Sequence, residues 1–142
     1  MKTGLLKDAA GAGLFHLPRS RRVDLLHLAA AAQLKLLLAD LGDCKGRHEA
    51  LYQLGKACQF PVWYGANLDA LHDCLTDPEW QPRKGVVLQI SGLDSLRAAD
   101  PEAFSTLIDV LQSAASIRSA GKTPLWILLT SPAPGISDLP EA

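Results

Sequence analysis

Apolar positions along the chain fall into blocks that alternate between strand-like runs and helix-like recurrence. Leu14 to Leu17 (LFHL) predicts a short strand ahead of Pro18, and residues 21–32 (RRVDLLHLAAAA), rich in Ala and Leu with few β-branched residues, predict a helix. Leu34 to Leu41 (LKLLLADL) stops at Gly42-Asp43 and has the length of a buried strand. From Gly46 to Cys58, Ala50, Leu51, Leu54 and Ala57 recur at steps of three or four, which describes an amphipathic helix halted before Phe60-Pro61. Asn67 is placed to cap a short helix, Leu68 to Thr76. Gly85 to Ile90 (GVVLQI) holds three β-branched residues in an apolar run and reads as a strand. Pro101 and Glu102 suit the first turn of a helix that runs to about Ala120, with Gly121 as its stop. Pro124 to Thr130 (PLWILLT) is apolar throughout, which predicts a last strand covered on both faces.

Strands separated by helices imply an α/β layered fold with a small, mostly parallel sheet. The tail SPAPGISDLPEA, with three prolines, reads as a frayed end. Composition narrows the class. The chain has 142 residues, 48% hydrophobic and 20% charged, enough for one domain with a core that needs neither disulfide nor metal. Lys+Arg 14 against Asp+Glu 15 argues against a nucleic-acid binder that works by overall basic charge. Lys7 and Asp8 interrupt the N-terminal apolar residues, so no signal-peptide core forms, and no apolar run reaches the ~20 residues that span a bilayer. Cys44, Cys58 and Cys74 are odd in number without a CxxC spacing, as expected of reduced thiols in a cytoplasmic protein.

Charge is segregated along the chain. Residues 1–56 hold nine Lys/Arg against five Asp/Glu, whereas residues 57–82 hold no Lys or Arg and four acids: Asp69, Asp73, Asp77 and Glu79. Such a run is either a solvated loop or a surface that attracts a cation. At its centre lies FPVWYGANLDALHDCLTDPEW, Phe60 to Trp80. Pro61 ends the preceding helix, and Gly65 is expected to make the sharp turn. On the helix after Asn67, Leu68, Leu71 and Leu75 share the core face; Asp69, His72, Asp73 and Thr76 share the other. Asp69 suits the positive helix end, but Asp73 stands four residues on with no cation near it in sequence, a pairing that costs about 0.2–0.5 kcal/mol. Trp63 and Tyr64 cannot both face inward from an extended loop, so one aromatic is at the surface. A surface aromatic beside unpaired carboxylates has the chemistry of a hot spot for a cationic partner.

This segment resembles the central motif of the barstar family, the intracellular inhibitors of barnase-type ribonucleases. The matching pattern is Pro61, Trp63, Tyr64, Gly65, Asn67 to Leu71, and Asp73 to Thr76. The resemblance covers about 34–130, with 1–33 as an added strand and helix packed on that domain and 131–142 as a Pro-rich tail. It implies a three-layer fold: a parallel sheet of three to four strands flanked by helices. It also implies a protein that performs no reaction, needs no cofactor or metal, and contacts neither nucleic acid nor membrane directly. Its partner is a barnase-type ribonuclease whose groove receives the loop and helix. Carried over residue by residue, Asp73 occupies the site of the substrate phosphate and Asp69 pairs with basic residues at the groove wall. Trp63 packs where the family has a tyrosine against the catalytic histidine. Tyr64, Gly65, Asn67 and Leu68 shape and line the loop. His72 stands where family members often carry an aromatic, and its protonation would weaken the negative field. Trp80 matches a tryptophan after the motif, with a loop of different length. The family's acidic contact from the long late helix has no clear counterpart in Asp109-Val-Leu-Gln-Ser-Ala-Ala.

Other chemistries remain as alternatives. Asp69, His72 and Asp73 could share a metal ion in a small hydrolase, or the plug could serve against a different toxin nuclease. Cys44 and His48, four apart, read as a free thiol and a surface imidazole more readily than as zinc ligands. Cys74 falls toward the apolar face, as a small core residue does. Arg19, Arg21 and Arg22 are expected on a solvated helix start.

Overall fold

The computed structural model describes residue 6 and residues 11–61, 63–80, 84–121 and 123–140. Val62, residues 81–82 of the acidic run, most of 1–10 and the last two residues of the tail lie outside them. Four strands, β1 (Leu14–His16), β2 (Lys35–Asp40), β3 (Val86–Ser91) and β4 (Leu125–Leu129), form one sheet in the order β1-β4-β3-β2, every pairing parallel. The helices are α1 (Arg22–Ala31), α2 (Arg47–Cys58), α3 (Leu68–Thr76), α4 (Leu93–Ala99) and α5 (Pro101–Ser119), with a 3-10 turn at Arg19–Arg21. Each predicted strand and helix is present with its ends shifted by a residue or two; Leu68–Thr76 matches to the residue. Helix α4 is too short to register in the pattern; it buries only Leu93 and Leu96 and gives way at Asp100, whose side chain caps α5 at Ala103 N.

Strand alternation sorts the sheet's side chains into two cores. Val86, Leu88, Ile90, Leu125, Ile127 and Leu129 face the layer made with α2, α3, α4 and α5. Val87, Trp126 and Leu128 face the other way, under Leu25, Leu28 and Ala29 of α1. All of β4 is buried, as its continuous apolarity requires. At the ends of β2 and β3 the loops touch closely: a Cβ on Gly92 (φ +79°) would lie 2.4 Å from the Gly42 backbone, so only glycine fits.

The tail is not frayed over its described part. His16 N donates to Ser137 O and Leu139 N donates to His16 O, both at 2.8 Å, while His16 Nδ1 bonds Asp138 Oδ1 at 2.8 Å. Leu139 thereby enters the second core at 3% exposure. Of the three arginines expected to be solvated, Arg19 is exposed but the other two hold this closure: buried Arg21 donates to the carbonyls of Leu139 and Pro140, and Arg22 donates to Thr130 O. A β1 edge of three residues leaves backbone groups to satisfy, and the tail supplies partners that proline count alone does not reveal.

Candidate functional site

The acidic segment forms the end of α2, a loop and α3. Asn67 Oδ1 accepts from Ala70 N at 2.8 Å and fixes the start of α3. Ala70, Leu71, Cys74 and Leu75 bury one face, leaving Asp69 and Asp73 exposed and His72 half-buried on the other. Neither aspartate has a described Lys, Arg or His within ion-pair distance. The His72 ring nitrogen Nε2 is engaged with Ser113 Oγ of α5 at 3.1 Å. Asp109, exposed one turn before Ser113, lies on the same side of α5 as that residue.

In the loop, Trp63 is the outward aromatic, 57% exposed. Tyr64 turns inward, donating its hydroxyl to Leu51 O at 2.7 Å, and burial pushes its phenol pKa up. The ring fits because position 55 is glycine: a Cβ there would sit 2.5 Å from Tyr64 Cε2. Sequence reading missed Gly55, although a glycine inside an amphipathic helix is itself a sign of close approach. The turn expected at Gly65 is made one residue later. Ala66 carries the left-handed φ of +52°, while Gly65 keeps an ordinary φ and a Cβ on it would lie 3.2 Å from Asn67 Nδ2. Leu68 is half-buried against the core, and Gly65 and Asn67 are exposed.

Trp80, expected at the partner surface, is only 8% exposed and supports the loop from behind: its Nε1–H donates to Cys58 O at 2.8 Å. Its ring centroid lies 5.4 Å from that of Phe60, which lies 4.9 Å from that of Tyr64, so three tilted aromatics pack in a row behind the loop. Cys58 and Cys74 are free thiols buried behind the loop. Burial pushes the Cys58 thiol up to about 12, and burial, then Asp73 and Asp77, push Cys74 up to about 11, the reverse of what a nucleophile needs.

Two cavities flank His48. One of about 660 Å³ is lined by Asp40, Asp43, Cys44, His48 and Glu49; another of about 490 Å³ sets Arg47 and His48 opposite Asn67, Leu68 and Asp69. Among the described residues no three His, Cys, Asp or Glu side chains form a group able to hold a metal. Asp69, His72 and Asp73 share a face of α3 without forming such a group, and Cys44 and His48 form none with the acids that line their cavity. No described helix is long and apolar enough to cross a membrane.

Solved structures share the layered sheet. The ORC2 protein of Aeropyrum pernix matches with a TM-score of 0.56 at 16% identity, over 96% of this chain and 38% of that one. The Drosophila ORC bound to DNA matches with a TM-score of 0.52 at 13% identity, over 92% of this chain and 35% of that one. The chain thus spans well under half the length of these structures, and at such identity the likeness concerns the fold alone. No curated protein matches the sequence. The family model described as Barstar (barnase inhibitor) matches residues 34–130, from the residue before β2 to the residue after β4, with the acidic loop and α3 inside it. By that match, over more than half of its length, the chain belongs to the barstar family of inhibitor proteins.

Proposed function

We propose that this protein inhibits a barnase-type ribonuclease by filling its active-site groove with the Trp63 loop and the outer face of α3. The observation that carries the reading is the exposed Asp69–Asp73 pair, without an ionic partner among the described residues, beside a 57% exposed indole. A ribonuclease cleft is cationic because it binds a polyanion, so carboxylates held out in this way are steered toward it and form charge-assisted hydrogen bonds once docked. Asp73 is the central acid, Asp69 a flanking one, and Trp63 the apolar anchor. Tyr64, Gly65, Asn67 and Leu68 hold the loop's shape. His72, tied to Ser113, stands between the two aspartates. Such an inhibitor acts in the cytoplasm, protecting the cell that makes the ribonuclease.

Titration of a barnase-type ribonuclease with the wild-type protein and with Asp73→Ala tests this at two salt concentrations. Stoichiometric inhibition by wild type, slower association at higher salt, and a loss of about 2–5 kcal/mol of binding free energy in the variant are expected. Absence of inhibition against such enzymes overturns the ribonuclease assignment. Equal inhibition by the variant overturns the acidic plug.

A further inference from the structure

Arg118 is a cation withdrawn from solvent, at 4% exposure. Its Nη1–H donates to Leu75 O at 3.1 Å and its Nε–H donates to Thr123 O at 2.7 Å. Leu75 O is one of the last carbonyls of α3, which no residue of that helix can satisfy. Thr123 lies two residues before β4. The guanidinium carbon also stands 5.4 Å above the Trp80 ring, and Trp80 in turn satisfies Cys58 O, the last residue of α2. One row of contacts, Tyr64–Phe60–Trp80–Arg118, therefore finishes the C-terminal ends of both helices that bracket the Trp63 loop and ties them to α5 and the sheet.

We propose that Arg118 is a positioning residue: its forked donors fix the end of α3, and so the direction in which Asp73 points, relative to the sheet. The role rests on the inhibitory reading of α3 given above, since it explains what a rigid α3 is for. Bulk stability does not require a charge at this place. A buried guanidinium is expensive to desolvate, and one of its nitrogens, Nη2, finds no acceptor among the described residues. Burial also lowers its pKa, against the opposing pull of Asp77. What a hydrophobic replacement could not provide is a rigid link between two carbonyls on different elements. Lysine fails for the same reason, because a single ammonium on a flexible stem does not reproduce the planar fork.

The test is amide hydrogen exchange on the full chain, comparing wild type with Arg118→Met and Arg118→Lys. Amides in the last two turns of α3 should exchange about tenfold faster in both variants, while β3 and β4 amides keep their wild-type protection. Parallel change in helix and sheet, or no change in α3, overturns the proposal. Restoration of α3 protection by lysine overturns the fork and leaves only charge. If Arg118→Met does not fold, the lysine variant alone makes the same comparison. A second arm measures binding to a barnase-type ribonuclease: dissociation should quicken about tenfold with association unchanged, because the surface carboxylates remain in place. If the variants loosen α3 yet dissociate at the wild-type rate, the positioning role is refuted. If the wild-type protein inhibits no such enzyme, the function proposed above fails, and the exchange data still decide whether Arg118 fixes α3.

Discussion

The two faces of the sheet are closed by opposite means. On the α1 face, polar side chains are spent on closure: Arg21, Arg22 and His16 all bond the tail or the chain leading into it. On the α3 face, closure falls to apolar packing, the tilted aromatic cluster and the single buried Arg118, and the carboxylates of Asp69 and Asp73 are left exposed. The difference shows how a small domain can keep an unneutralised acidic surface. Arg21 and Arg22 are used on the far side and Arg118 is drawn inside against backbone carbonyls, while Arg47, across a cavity from Asp69, makes no ion pair with it.

The comparison can be broken most forcefully from the far face. Leu139→Ala should lower the unfolding free energy by about 2–4 kcal/mol, because it empties a site in the second core. Denaturant unfolding would show this loss, while ribonuclease inhibition at saturating folded protein stays at the wild-type level. A parallel loss of inhibition would mean that the two faces are not independent. Gly55→Ala probes the site face. Alanine favours the helix by about 0.5–1 kcal/mol, but the Cβ displaces the Tyr64 ring. A net loss of about 1–2 kcal/mol in stability is expected, accompanied by weaker inhibition. The smallest effect sharpens the contrast by pH. Cys58 ionises at its ordinary 9.0 when unfolded but only near 12 when folded. The folded chain therefore holds a proton that the unfolded chain releases, so stability is full below pH 9 and falls between pH 9 and 12. At pH 10 this thiol accounts for about 1 kcal/mol, and Cys58→Ala should flatten that part of the urea-midpoint profile.

Features written in neighbouring residues are legible along the chain itself. The Asn67 cap, the split faces of α3 and the strand identity of PLWILLT each follow from periodicity within a few positions. Features made by distant residues are not. Nothing local marks Arg118 as the partner of Leu75, or Leu139 as the partner of His16. The burial of Trp80 depends on where α2 ends relative to it, and the left-handed turn falls to Ala66 although glycine stands beside it. The candidate site is legible in the sequence as a set of residues. Which of them point outward, and what holds them, is decided by packing between elements far apart in the chain.

The bond between His16 and Asp138 joins residues 122 positions apart, whereas those that seat Tyr64 and Trp80 span 13 and 22. Closing a long loop carries the larger entropy cost, and contacts of high sequence separation slow folding. The acidic loop and its supports are thus held by contacts that close short loops at small entropy cost, whereas the tail that seals the opposite side is held by the contact that closes the longest one.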